Sequence, residues 1–434
     1  MRFISTRGAT GPVTVSQAVA QGIAPDGGLY VPQSWPAGDA AAAAAGESLA
    51  ETGVRVLRPF FAGDGLADSL AAIAADAFVF PAAVTPLHGA AETAEVLELF
   101  HGPTAAFKDF GARFLAASMS RQRSADARPL TILVATSGDT GGAAAAAFHR
   151  QPGMQVVVLF PRGLVSARQQ QQLTCWGDNV RAAVVRGTFD DCQRLVKEAF
   201  QDVELNRAMQ LSSANSINIG RLLPQVVYYA AASVEMHRRH GEPASFIVPA
   251  GNLGNSLACV WARKLGYPID EIVLAHNANR TVPDFLASGE YRPRPSIATL
   301  ASAMDVGDPS NIERLRHLYP DFPALKEALG ACSVGDAEIR EQIRKDDLRY
   351  GRVWCPHTAT AARVYDLLGA GRRKKPWVLV ATAHPAKFDT IVEPLIGRAV
   401  EVPAALARLL KLPSESTEIE PTLGALRSLL QQGR

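Results

Sequence analysis

Cysteine is scarce in this chain. Five residues among 434 (Cys175, Cys192, Cys259, Cys332 and Cys355) are widely spaced, odd in number and form no Cys-x-x-Cys. That pattern argues against a disulfide framework or a zinc site and fits a reducing cytoplasm. Long apolar runs are missing as well. The alanine tracts Ala40 to Ala45 and Ala143 to Ala147 fall far short of the roughly 20 residues a membrane span needs. The first eight residues, MRFISTRG, lack the apolar centre of a secretory signal. An excess of one charge is also absent: 44 Lys plus Arg against 42 Asp plus Glu leaves a formal charge of +2. That gives no basic field for nonspecific nucleic-acid binding, and the short cluster Arg372 to Lys375 reads as a solvated loop before a strand. No His-Glu-x-x-His, Gly-x-Ser-x-Gly or Walker lysine loop occurs, and no Gly-x-Gly-x-x-Gly follows the first strand. The expectation is a soluble, cytoplasmic protein without metal, nucleic-acid or membrane partners.

What is present is an ordinary globular composition, 47% hydrophobic and 20% charged, in a chain long enough for two or three domains. From about residue 95 onward short β-branched runs alternate with helical patterns. Leu130 to Ala135, Val156 to Phe160, Arg181 to Val185, Ser245 to Val248, Glu271 to Ala275 and Trp377 to Ala381 read as strands. An Ala-rich helix at 143–148 and a helix at 190–203, with Cys192, Leu195, Val196 and Ala199 on one face, separate some of them. Continuous apolar strands between helices describe parallel sheets covered on both faces. Helical patterns and the breakers Pro25, Gly27-Gly28, Pro32 and Pro36 set the first residues apart. The reading is α/β, with an N-terminal extension domain at 1–95, a smaller α/β domain at 96–240 and a larger one at 241–434. The segment 421–434 reads as a terminal helix.

Four loops carry chemistry. In His101-Gly-Pro-Thr-Ala-Ala-Phe-Lys-Asp-Phe-Gly-Ala-Arg113, Lys108 stands between two phenylalanines at a helix entrance. Taken alone it reads as a structural or solvated lysine, or, since lost hydration and a positive helix terminus both favour the neutral amine, as a nucleophile able to join an aldehyde as a Schiff base. Val248-Pro-Ala-Gly-Asn-Leu-Gly-Asn-Ser256 follows a strand and opens a helix, which makes a phosphate cradle or an ordinary turn. Ala135-Thr-Ser-Gly-Asp-Thr-Gly-Gly142 offers the hydroxyls of Thr136, Ser137 and Thr140 to a carboxylate or phosphate, or caps its own helix. Its Asp139 would repel an anion unless it faces elsewhere or accepts a hydrogen bond. Ser212-Ser-Ala-Asn-Ser-Ile-Asn-Ile-Gly-Arg221 places Asn215, Ser216 and Arg221 near a helix start, as an anion site or as caps. After the last strand, Thr382, His384 and Lys387 are possible pocket residues. Two or three anion cradles plus a desolvated lysine suit a phosphate-bearing carbonyl cofactor and an amino acid.

In combination these segments resemble the threonine synthase family, fold type II pyridoxal-phosphate enzymes of the tryptophan synthase β-like kind. The match runs from Ser5-Thr-Arg-Gly8 and Ala24-Pro-Asp-Gly-Gly-Leu-Tyr-Val-Pro32 through the four loops, Thr281-Val-Pro-Asp-Phe285 and Ala303-Met-Asp-Val306, to Thr382-Ala-His-Pro-Ala-Lys-Phe388. It points to the longer subgroup with an N-terminal extension. The resemblance implies that Lys108 carries pyridoxal 5'-phosphate as a Schiff base. Gly251, Asn252, Leu253, Gly254 and Asn255 would hold the cofactor phosphate, mainly through backbone amides. Thr382 would face the pyridine nitrogen, and Asp139 the phenolic oxygen. Thr136, Ser137 and Thr140 would bind the substrate carboxylate, and Asn215, Ser216 and Arg221 the phosphate of O-phospho-L-homoserine. Two positions depart from the family: Asp139 stands where many relatives have an amide, and Cys355-Pro-His-Thr358 where Glu-Pro-His is common. The implied reaction gives L-threonine and phosphate, in a monomer or homodimer. A dehydratase or phospho-lyase on the same fold, or a noncatalytic binder, is the alternative.

Overall fold

The computed structural model describes residues 1–87, 94–124, 127–163 and 165–432. At the N-terminus β1 (Phe3–Ser5) pairs antiparallel with β2 (Tyr30–Pro32), and helix Val15–Gln21 lies between them. Helix Leu49–Phe61 begins at a capping box between Ser48 and Glu51. Its buried stripe, Val56, Leu57, Phe60 and Phe61, recurs at helical spacing. Helix Leu70–Ala77 follows. These helices bury their apolar faces against the lysine-bearing helix Lys108–Gln122: Phe61 meets Phe114 edge-on at 6.2 Å, and Phe78 lies 6.2 Å from Phe110. The N-terminal domain and the helices around the site therefore share one core.

Beyond it β3 (Ala83–Pro86) and β4 (Ala94–Glu98) form an antiparallel pair. Then come β5 (Leu130–Ala135), β6 (Met154–Pro161), β7 (Val180–Val185) and β8 (Leu211–Ser212). After helix Gln225–His240 the chain supplies β9 (Ala244–Pro249), β10 (Ile269–His276), β11 (Gly330–Ser333), β12 (Trp377–Ala381) and β13 (Thr417–Ile419). Two sheets result. One has the order β11-β10-β9-β12-β4-β3, parallel except for β3, and the other β13-β7-β6-β5-β8, parallel throughout. The central strands read VVVLF, FIV and WVLVA because both of their faces are covered. Beneath the larger sheet lie Trp354, Tyr365 and Trp377, and outside the smaller one Leu195, Leu205, Leu426 and Leu430.

The sheets do not follow division points at 95 and 240. Strand β4 straddles the first point and pairs with β12, while β13, far into the third segment, extends the five-stranded sheet beside β7. Hydrogen-bonded neighbours are chosen by edge complementarity in space, which local apolar patterning does not encode. Among the described residues no helix is long and apolar enough to cross a membrane.

Candidate active site

The loops after β4, β5, β9 and β12 converge on a cavity of about 1170 Å³. This is where open parallel sheets bind ligands, at strand carboxyl ends. Lys108, Thr136, Ser137, Asp139, Thr140, Asn215, Ser216, Arg221, Gly251, Asn252, Leu253, Gly254, Asn255 and Thr382 all line it. Segments far apart in sequence thus meet in one place.

Lys108 is the first residue of its helix. The loop before it continues the β4–β12 pairing: Leu99 N–H donates to Ala381 O (3.0 Å), Phe107 N–H to Thr382 O (2.9 Å) and His384 N–H to Ala105 O (3.0 Å). That ladder sets Lys108 beside Thr382. Asp109 points the other way into the core, where it accepts from Thr104 N–H (2.9 Å) and Thr104 Oγ1 (2.6 Å). Burial raises its pKa to about 6. Loss of hydration pushes the Lys108 amine down to about 8; Asp139 opposes this, and Lys387 and Arg221 reinforce it. Gly111 lets the Arg221 turn approach, since a Cβ there would sit 2.5 Å from Arg221 O.

The 136–140 loop divides its labour. Thr136 Oγ1 accepts from Gly138 N–H and Gly141 N–H, both at 2.9 Å, so this hydroxyl shapes the loop. The helix Asp139–Phe148 has Gly138 at its N-cap with no side-chain cap, which leaves the half-buried Ser137 and Thr140 facing the cavity. Asp139 also lines the cavity, but its charge is paired. Its Oδ1 lies 2.7 Å from Lys387 Nζ and accepts from Gln169 Nε2 at 3.1 Å, with both ionised groups buried. Burial alone would raise the Asp139 pKa, but Lys387, Lys108 and His357 hold it well below the usual carboxylate range. Lys387 also donates to Thr104 O (2.7 Å). It is therefore the counter-ion behind the cavity wall and not a lining residue. His384 is not a lining residue either: its Nδ1 accepts from Ala386 N–H, and it faces a second cavity of about 460 Å³.

In the 212–221 loop Asn218, not Asn215 or Ser216, caps helix Ile219–Leu222. Ser216 Oγ accepts from Asn252 Nδ2 (2.7 Å), so the second and fourth of the chemistry-bearing loops touch. Arg221 is 3% exposed, and its Nε has no partner among the described residues although Nη1 bonds Ala214 O. Burial lowers its pKa to about 10. Around the 250–255 loop a Cβ on Gly251 would lie 2.7 Å from Met304 Cα, and Leu253 adopts a left-handed φ of 61°. Helix Gly254–Lys264 opens without a side-chain cap, and the buried Asn255 Nδ2 and Ser256 Oγ have no partners among the described residues. Uncapped amides, orphaned buried donors and a backbone free of side-chain bulk fit a phosphate group. A lysine with a lowered pKa fits the aldehyde of the same molecule.

Arg314 had no local signature, whereas His357 lies in the Cys355-Pro-His-Thr358 run. Arg314 is fully buried and donates to Tyr30 O (2.9 Å), Ile217 O (2.6 Å), Ser216 O (3.3 Å) and Asn311 Oδ1 (2.7 Å), clamping the 215–217 loop to β2. His357 lines the cavity, and burial lowers its pKa to about 4. Its Nε2 accepts from Ala303 N–H at 3.0 Å, so its proton is on Nδ1, which has no partner among the described residues. Cys355 caps helix Pro356–Leu367, its Sγ accepting from Thr358 N–H.

Comparison with known proteins accords with this geometry. The model of the family "Pyridoxal-phosphate dependent enzyme" matches residues 83–383; "Threonine synthase N terminus" matches 2–78 and "Threonine synthase, C-terminal" 358–430. Threonine synthase of Haemophilus influenzae is 39% identical, over 96% of both chains. The chain belongs to the threonine synthase family. The crystal structure of the Escherichia coli threonine synthase superposes with a TM-score of 0.91 at 35% identity, covering all of both chains. A pyridoxal-phosphate-bound threonine synthase from Brucella melitensis gives 0.90 at 34% identity, over 100% of this chain and 99% of that one. The fold is that of this family, the protein is a pyridoxal-phosphate-dependent lyase, and pyridoxal phosphate is its cofactor.

Proposed function

We propose that the protein converts O-phospho-L-homoserine and water into L-threonine and inorganic phosphate. The observation that carries this reading is that two groups of residues able to hold an anion and one amine line the same cavity: Ser137 and Thr140 after β5, Ser216 and Arg221 after β8, and Lys108 at the head of the helix after β4. An amino acid that carries a phosphate needs both sites. An unphosphorylated one needs only the first.

The loop Gly251, Asn252, Leu253, Gly254 and Asn255 would hold the cofactor phosphate, and Thr382 its ring nitrogen. Asp139 would stand at its phenolic oxygen, fixed by Lys387 and Gln169. When bound, the cofactor supplies an electron sink for negative charge developing at the substrate's Cα. Everything else falls to side chains of the chain. Ser137 and Thr140, with hydroxyls unused by the loop, grip the substrate carboxylate; Thr136 serves them by bending the loop. The Lys108 amine, with a pKa of about 8, is poised to take protons at neutral pH and return them. It removes the Cα proton. A Cβ proton also leaves as phosphate departs from Cγ. Hydroxide from water ends at Cβ, a proton at Cγ and another at Cα, which balances the reaction. Arg221, its Nε unpaired, stabilises charge on the departing phosphate together with Asn215 and Ser216.

The test is direct. Protein and pyridoxal phosphate are incubated with O-phospho-L-homoserine, and products are followed by NMR. Threonine and phosphate in equal amounts are expected. Phosphate with 2-oxobutyrate would make the protein a phospho-lyase, and no phosphate at all would overturn the assignment of the second anion site.

A further inference from the structure

Asn255 is the second residue of helix Gly254–Lys264, lines the cavity and is only 6% exposed. Its two amide atoms are treated differently. Oδ1 accepts from Tyr228 OH at 2.6 Å and from Tyr229 OH at 2.9 Å, which fills both of its lone pairs. Nδ2 has no partner among the described residues. A buried donor left unpaired is costly, so its retention at a cavity wall points to an acceptor on a ligand.

The two phenols converge in an unusual way. They are consecutive on helix Gln225–His240, where neighbouring side chains diverge by about 100°. Packing turns them together: the rings lie 4.9 Å apart, Tyr228 against Phe110 of the Lys108 helix (5.4 Å) and Tyr229 against Phe246 of β9 (5.6 Å). Tyr228 also lies 3.0 Å from Gln225 Oε1, but Asn255 is the nearer acceptor for its single proton. Burial keeps both phenols protonated, hence donors. Two hydroxyls donating to Oδ1 fix which way the amide faces. A turned amide would present a carbonyl oxygen to the cavity, which repels phosphate.

We propose that Tyr228 and Tyr229 are positioning residues of the cofactor-phosphate cradle, holding the Asn255 amide with its Nδ2 donor toward the phosphate. This rests on the reading of Asn255 as a cofactor-phosphate residue. It also ties the cradle mechanically to the helix that carries Lys108.

Cofactor is resolved from the purified protein, and pyridoxal phosphate is titrated back into wild type, Tyr229→Phe, Asn255→Ala and the double variant by fluorescence. The 31P shift of the bound phosphate and the melting midpoint of each apoprotein are recorded alongside. Loss of one neutral hydrogen bond predicts about three- to tenfold weaker binding for Tyr229→Phe, a moved 31P signal and an apoprotein that melts near wild type. Asn255→Ala should weaken binding more, and the double variant should bind no worse than Asn255→Ala, because the tyrosine acts through the amide. Wild-type affinity in Asn255→Ala would remove Asn255 from the cradle and the proposal with it. Weak binding in Asn255→Ala with either full affinity in Tyr229→Phe or multiplying losses in the double variant would keep Asn255 but overturn the role of the tyrosines. If Tyr229→Phe fails to fold, Tyr228→Phe is read by the same criteria.

Discussion

Replacing Lys387 by methionine tests the electrostatics of the site at its centre. Met is unbranched and fills a similar slot, so the perturbation is chiefly loss of the ammonium. At 2.7 Å the attraction to Asp139 is about 6 kcal/mol in an effective dielectric of about 20, offset by desolvation of two buried charges. Removing one partner forfeits the attraction and leaves the desolvation. A cost of about 3–5 kcal/mol follows when Asp139 stays ionised. The sign of the pH dependence then reverses. In the parent the folded pKa of Asp139 lies below its ordinary 3.8. Its stabilisation is therefore present above pH 3.8 and is lost as pH falls through the folded value. In the variant burial dominates and lifts the folded pKa above the unfolded one, so stability is greatest below the unfolded value and declines as pH rises through the folded one. The slope approaches about 1.4 kcal/mol per pH unit. Melting of the apoprotein is measured by calorimetry at pH 5 and pH 8 at one scan rate. Lys387→Met should lose much more at pH 8 than at pH 5. Asp139→Asn with Lys387→Met should recover most of the loss at pH 8, because neutralising both members of a buried pair is nearly neutral. A single variant as stable as wild type at pH 8, or a double variant no better than the single, would refute the reasoning.

Three further outcomes are expected. Lys108→Ala should abolish threonine formation while far-ultraviolet circular dichroism and the melting midpoint stay near wild type; turnover close to the parent's would remove Lys108 from the chemistry. Arg221→Ala should cut kcat/KM for O-phospho-L-homoserine by about a hundredfold or more, the scale of one lost oxyanion-type donor, while the dissociation constant of pyridoxal phosphate moves far less. Equal loss in both would place Arg221 in the cofactor cradle or the core. Finally, since only the neutral amine attacks an aldehyde, capture of pyridoxal phosphate by the apoprotein, timed by stopped-flow absorbance, should rise with pH and level off above about pH 8. A rate still climbing tenfold per unit beyond pH 9 would show an ordinary surface-like amine.

Much of the site was legible because its parts are local. A strand such as Leu130–Ala135, a Gly-containing turn and a helix start occupy a dozen consecutive residues, and their composition states what they are. Lys108 at a helix entrance, the Gly-containing loop after β9 and the polar run before Arg221 are legible in such windows, and all of them line one cavity. The assignment of every hydroxyl was not legible. Thr136, Ser137 and Thr140 look equivalent in sequence, yet only the folded loop turns Thr136 inward onto two backbone amides.

Sequence by itself determined the alternation of strands and helices, the chemical types at the cavity and the family. The tertiary structure decided which charges neutralise one another and which way amides face. Lys387 reaches Thr104 across 283 residues and meets Asp139, and Arg314 reaches Tyr30 across 284. Two tyrosines on another helix orient Asn255. Pairing of strands across the chain, with β13 joining β7 and β4 joining β12, belongs to the same class. The reason is common to all: propensity and periodicity act within a few residues, whereas desolvation must be compensated by whatever group the fold brings within about 3 Å, regardless of its distance along the chain.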